Sequence, residues 1–213
     1  MQKITIRDIR RFKDKGIPFA TVTAYDYMSA RNAEAVDIPL LLVGDSAAMV
    51  VYGMDTTIPI SMEELIFLVR AVCRGSEKAL VVADMPFMSY QISEEDAVRN
   101  AGRFIKEGGA EAVKLEGGVA YTAQIKAIID AGIPVMGHVG LLPQSFHLSS
   151  GYRIQGKTLL EAEKIFSDAI AVQESGAFAV VLEGIPANLA EKITKKLNIP
   201  TIGIGAGPHC DGQ

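Results

Sequence analysis

Cysteine is scarce in this chain: only Cys73 and Cys210 occur among 213 residues. Two isolated thiols supply neither a disulfide framework nor the paired spacing of a structural zinc site, and they agree with a reducing compartment. Histidine is scarcer than acid, with 3 residues against 25 Asp and Glu, and no two histidines stand at zinc-ligand spacing. No apolar run reaches the roughly 18 residues that a membrane-spanning helix requires. The basic N-terminal stretch MQKITIRDIRRFKDKG is interrupted by Asp8 and Asp14 and leads into no apolar h-region, so it does not read as a secretory signal. Positive charge is also short. The formal net value of −4 excludes a general basic field for nucleic acid or anionic lipid and favours small metabolites as partners. The chain is therefore expected in the cytoplasm. A complete G-x-G-x-x-G is lacking too, which leaves GIGAG at 203–207 as a tight turn or a phosphate cradle, not a dinucleotide site.

What is present is a recurring unit. Short apolar runs rich in Val, Ile and Leu return as FATVTAYD at 19, PLLLVGDS at 39, LVVADMP at 80, AVKLEGG at 112, PVMGHVG at 134, AVVLEGIP at 179 and PTIGIGAG at 200. Their length and content predict strands. Helical patterns fill most gaps. Ser61 with Glu64 and Ser93 with Asp96 mark two helix starts, and further helices are expected at 119–131, 157–174 and from Pro186 to Leu197. Ile4, Ile9 and Phe12 sketch one apolar stripe of an N-terminal helix, with Thr5 and Asp8 placed as a capping box. Repeated β-α alternation with nearly continuous apolar strands implies a parallel sheet covered on both faces. No linker divides the chain, so residues 1–213 read as one domain. A (β/α)8 TIM-type barrel is expected, with its eighth unit missing and the C-terminal end incomplete, because such barrels take about 250 residues.

Polar residues gather at one end of the strands. Asp26, Asp45, Asp84, Glu116, His138 and Glu183 each stand at or just past the C-terminal end of an apolar run. That rim is where ligands bind in barrels. Alternation also places Lys114 and Glu116 inward, with Val113 and Leu115 facing the helices. Each residue has a plain structural reading: Asp45 and Asp84 as turn or cap residues, Lys114 and Glu116 as an ion pair plugging the lumen, His138 as a satisfied polar group. Convergence favours a cation instead, and among cations magnesium, which takes one or two carboxylates and keeps several waters.

The ordered motifs VTAYD, GDS, ADMPFMSY, VKLEGG, MGHVGLLPQS, GYRIQGK, VLEGIP and IGAGPHCDGQ resemble the ketopantoate hydroxymethyltransferase family from about residue 3 to the last residue. Ala47, Ala48, Met54 and Leu142 depart from its usual residues without touching an expected ligand. The resemblance implies a transferase of pantothenate and coenzyme A biosynthesis that adds the one-carbon unit of 5,10-methylenetetrahydrofolate to 3-methyl-2-oxobutanoate through a Mg2+-stabilised enolate. It implies Asp45 and Asp84 as direct metal ligands that also meet the substrate, Glu116 as a further metal contact, and Ser46 and Lys114 as groups holding the substrate carboxylate. Glu183 is then the general base, its pKa expected to rise with partial burial. A homodecamer is implied as well. The nearest alternative is a magnesium-dependent 2-oxo acid lyase or mutase of the isocitrate lyase-like group.

Overall fold

The computed structural model describes residues 3–149 and 151–213. Helix α1 (Ile6–Asp14) begins with the expected capping box, the Thr5 amide donating to Asp8 Oδ2 at 3.0 Å. The seven predicted strands follow: β1 (Thr21–Thr23), β2 (Leu40–Val43), β3 (Leu80–Asp84), β4 (Ala112–Glu116), β5 (Val135–Gly140), β6 (Ala179–Glu183) and β7 (Thr201–Ile204). Between them run α2 (Tyr27–Ala35), α3 (Ala47–Val50), α4 (Met62–Gly75), α5 (Glu94–Arg103), α6 (Thr122–Asp130), α7 (Phe146–Ser149), α8 (Leu159–Glu174) and α9 (Ala187–Lys196). Ser61 caps α4 and Ser93 caps α5 as read from the sequence, each accepting from the amide three residues on. Asp26 caps α2 and stands exposed, so it does not join the polar rim.

All strand pairs are parallel, and the strands lie side by side in chain order from β1 to β7. That order lacks the reversal of a doubly wound sheet and winds into a barrel. Asp211 to Gln213 take the eighth strand's place at the lower end. Gly212 bridges Phe19 on one side and Ile202 on the other, and the Thr21 amide donates to the Gln213 carbonyl at 2.7 Å. Asp211 is itself fixed by Lys13 at 2.8 Å and by the Thr201 amide at 2.8 Å. Higher on the same seam, Val22 and Ile204 are exposed. Of the GIGAG glycines, Gly203 lies in β7 and Gly205 and Gly207 take positive φ in the bend that follows; a Cβ on Gly207 would lie 2.4 Å from that of Ala187.

Alternation along the strands creates two cores. Leu41, Val81, Val113, Leu115 and Val180 face outward onto helix residues such as Leu65, Val69, Ile125 and Val172. Leu40, Leu80, Val82, Ala112, Met136 and Val181 fill the lumen, closed from below by Ile9 of α1 and by Phe19. Fully burying each large aliphatic chain contributes about 1.5–3 kcal/mol. The apolar filling stops part way up. On the same inward parity the residues change to Asp84, Lys114, Glu116, His138 and Glu183, so the lower lumen is a rigid floor for a polar mouth. Among the described residues no helix is long and apolar enough to cross a membrane.

One carboxylate at the opposite end is structural. Glu34 of α2 accepts from the Ser76 hydroxyl at 2.8 Å and from the amides of Lys78 and Ala79 at 2.5 and 2.9 Å. Burial pushes its pKa up, but these donors outweigh burial and bring it down to about 2 from 4.5. A depressed folded pKa means stability that is present above about pH 4.5 and is lost as pH falls towards 2. Glu34→Gln is expected to lower stability by about 1–2 kcal/mol at pH 7. Thermal melts should show the gap to the parent closing between pH 5 and 2; a constant gap would show that ionised Glu34 is not its source.

Candidate active site

The upper parts of β2 to β6 and the loops that follow the strands build the polar mouth. After β2 the chain turns into α3, and Asp45 is buried there with its amide donating to Asp84 Oδ2 at 3.2 Å. Asp84 ends β3 and is paired in register with Lys114 on β4; Lys114 Nζ lies 2.8 Å from Asp84 Oδ1. Glu116 ends β4 beside His138 of β5. Glu183 ends β6 and is held by backbone contacts: the Leu141 amide donates to its carbonyl at 2.8 Å. Gly140 is needed for that approach, since it takes φ +100° and a Cβ there would lie 2.3 Å from the Glu183 carbonyl oxygen.

The imidazole of His138 links the groups. Lys114 Nζ lies 3.2 Å from His138 Nδ1, and an ammonium only donates, so Nδ1 accepts and the ring proton sits on Nε2. Nε2 faces Glu183 Oε2 at 3.1 Å, close but poorly aligned for a hydrogen bond. Burial and then the Lys114 charge lower the His138 pKa, which keeps the ring neutral. Glu183 corrects an expectation. Burial does push its pKa up, but the facing His138 ring and the Lys114 charge outweigh burial, and the net shift is downward. Glu183 is therefore a carboxylate at neutral pH, with about a fifth of its side chain exposed.

The other acids carry the opposite strain. Burial, opposed by Lys114 and reinforced by Asp45, raises Asp84 to about 7. Burial likewise lifts Glu116 well above its ordinary value. Burial works against a charged Lys114, but Asp84, Glu116 and Asp45 outweigh it and hold the ammonium charged. Three buried carboxylates thus share one buried ammonium, and Glu116 Oε1 has no hydrogen-bond partner. A divalent cation fits that charge deficit and that bare oxygen. Among the described residues no three His, Cys, Asp or Glu side chains stand as a ready-made metal cage. Magnesium does not need one, because waters and substrate oxygens complete its shell.

The site-residue readings from sequence meet in this one network. Asp45, Asp84, Lys114 and Glu116 are joined directly or through one neighbour, and Ser46 lies at its edge, its hydroxyl 2.8 Å from Tyr25 OH. Lys114, expected to meet substrate carboxylate, rests against Asp84. Sequence reasoning missed Tyr25, Tyr90 and Gln144. Gln144 bridges Asp45 and Glu116, and Tyr90 OH donates to Gln144 Oε1 at 2.9 Å. A cavity of about 500 Å³ lined by Ile4, Phe12, Phe19 and Val36 lies at the other end of the barrel and contains none of these groups.

Solved structures share this architecture at low sequence identity, which bears on fold alone. Phosphonopyruvate hydrolase in complex with oxalate and Mg++ superposes with a TM-score of 0.71 at 15% identity, covering 96% of this chain and 72% of that one. A 2,3-dimethylmalate lyase of the PEP mutase/isocitrate lyase superfamily gives 0.69 at 20% identity, covering 98% and 75%. Among curated proteins, the 3-methyl-2-oxobutanoate hydroxymethyltransferase of Carboxydothermus hydrogenoformans is 55% identical over 213 residues, all of this chain and 77% of the relative. That of Geobacter sulfurreducens is 56% identical over 209 residues, 98% of this chain and 78% of the relative. The family model for ketopantoate hydroxymethyltransferase matches residues 3–213, and with these identities the chain belongs to the ketopantoate hydroxymethyltransferase family.

Proposed function

We propose that this chain transfers the one-carbon unit of 5,10-methylenetetrahydrofolate to 3-methyl-2-oxobutanoate, giving ketopantoate and tetrahydrofolate, with water supplying the new hydroxyl. The observation that carries the reading is the meeting of Asp45, Asp84, Lys114, Glu116, His138 and Glu183 above one apolar floor. Asp45 and Asp84 would hold Mg2+, with Glu116 as a longer-range contact. When bound, the ion polarises the ketone of the 2-oxo acid and lowers the cost of the enolate.

The chain's own groups do the rest. Ser46 and Lys114 bind the substrate carboxylate, Lys114 offsetting its charge in a site where burial strengthens the attraction. Glu183 Oε2 takes the C3 proton. It is suited to this because it is not spent on the acid cluster, and because His138 Nε2 faces its Oε2 at 3.1 Å. The resulting nucleophilic C3 forms a bond to the folate-borne carbon. The chain is proposed to act as one barrel domain in the cytoplasm and as a homo-oligomer, a homodecamer by resemblance; Leu159 and Leu160 of α8, 77% and 78% exposed, support an association face.

The test is an assay of purified protein with MgCl2, methylenetetrahydrofolate and 3-methyl-2-oxobutanoate. Ketopantoate should form, stop on addition of EDTA and resume with excess magnesium. Cleavage of other 2-oxo acids without folate, and no ketopantoate, would assign the chain to lyase chemistry instead.

A further inference from the structure

We propose that Gln144 is a positioning residue that decides which oxygen of Asp45 and which of Glu116 remains free for a divalent cation. The inference rests on the magnesium reading above and adds a residue to it.

Gln144 lies in the single helical turn Pro143–Ser145 that follows β5, where Pro143 fixes the start of the turn. Its side chain is folded back over the mouth and is almost fully buried. Nε2 donates to Asp45 Oδ2 at 2.9 Å and to the Met85 carbonyl at 2.8 Å. The Met85 carbonyl can only accept, so the orientation of the amide is fixed by chemistry. Oε1 accepts from Tyr90 OH at 2.9 Å and from Gln91 Nε2 at 3.1 Å. Both donors and both acceptor positions of the amide are in use. The backbone amide of the same residue donates to Glu116 Oε2 at 3.1 Å.

One residue therefore occupies a single oxygen on each of two carboxylates that come from different strands. What it leaves is the other oxygen of each. Glu116 Oε1 is buried with no hydrogen-bond partner, and among the described residues no group donates to Asp45 Oδ1. A network that served folding alone would not saturate the glutamine completely and leave a buried carboxylate oxygen bare. Tyr90 completes the device. Its hydroxyl contacts both Gln144 Oε1 and the backbone of Glu116, so the amide and the β4 terminus are held by one rigid ring. A neutral amide in this place holds Asp45 without adding charge to an already crowded acid cluster.

The experiment uses the full chain and Mn2+ as the probe, with free Mn2+ read by electron paramagnetic resonance, with and without 3-methyl-2-oxobutanoate. Gln144→Met keeps length and removes the polar head; it is expected to weaken Mn2+ binding by about 10–100-fold. Tyr90→Phe keeps the ring and frees the amide to turn, and a smaller loss of several-fold is expected. Circular dichroism and melting temperature are read on the same samples. A merely structural Gln144 would lower the melting temperature and leave Mn2+ affinity within about twofold of the parent, which overturns the proposal. If Gln144→Met does not fold, unchanged affinity in Tyr90→Phe overturns it. If the parent itself binds no Mn2+ with or without the 2-oxo acid, the magnesium reading fails and this inference fails with it. A parent that binds beside a Gln144→Met that binds equally well defeats the positioning role alone.

Discussion

Glu183→Gln is expected to abolish exchange of the C3 proton of 3-methyl-2-oxobutanoate with solvent while leaving its magnesium-dependent binding intact. The substitution keeps the side chain's shape, and the amide oxygen can still accept from His138 Nε2, so the geometry of the mouth is preserved. What is lost is the group proposed to take the proton. General-base contributions run to about 10²–10⁴-fold, and exchange should fall by at least about a hundredfold. Deuterium incorporation followed by NMR, alongside calorimetric titration of the 2-oxo acid, separates the two quantities. The pH profile follows from the charge state. Since His138 draws the Glu183 pKa down against burial, exchange in the parent should hold level from neutral pH down towards the ordinary value of 4.5 and fall only below it. Undiminished exchange in Glu183→Gln would remove Glu183 from the mechanism.

Much of this site is legible in the sequence, because it lies on strands. Alternation with period two puts Lys114 and Glu116 on the lumen side once Val113 and Leu115 are assigned to the helices, and the observed cores divide in that way. Asp84, His138 and Glu183 were legible from their place at the ends of apolar runs, and in the structure each stands two residues beyond an apolar lumen position. Gln144, Tyr90 and Tyr25 could not be found so. They sit on loops, where no period relates sequence to direction, and their partners are 21 to 99 residues distant in the chain. The sole local signal was Pro143 before Gln144, which announces a helical turn but not which way the side chain folds. Asp26 shows the converse error: position at a strand end put it with the rim, whereas Ser29 three residues on makes it a helix cap. The sign of the Glu183 shift was illegible for a related reason. Burial follows from strand position, but the opposing His138 contact depends on a tautomer set by Lys114 from another strand.

Asp84→Asn divides the metal site from the ion-pair plug most sharply, because the two readings give opposite pairs of results. If Asp84 is there to pair with Lys114, removing its charge leaves a buried ammonium short of a partner. Stability should then drop by about 3–5 kcal/mol while any magnesium binding elsewhere survives. If Asp84 is there for a cation, the metal-free protein bears a cost for keeping it. Burial and Asp45 raise its pKa from 3.8 to about 7, so the folded state holds a proton that the unfolded chain releases earlier. A raised folded pKa gives stability that is complete below about pH 4 and is lost as pH climbs through 7. Asn cannot ionise and removes that slope. We therefore expect metal-free Asp84→Asn to melt no lower than the parent above pH 7, and the parent to lose more stability than the variant between pH 4 and 7. Lys114 keeps Glu116 and Asp45 nearby as compensation. Calorimetric titration with MgCl2 and 3-methyl-2-oxobutanoate should show binding weakened at least about 100-fold. An acid that costs stability when the site is empty, and whose loss costs binding instead, is what a cation-holding mouth requires.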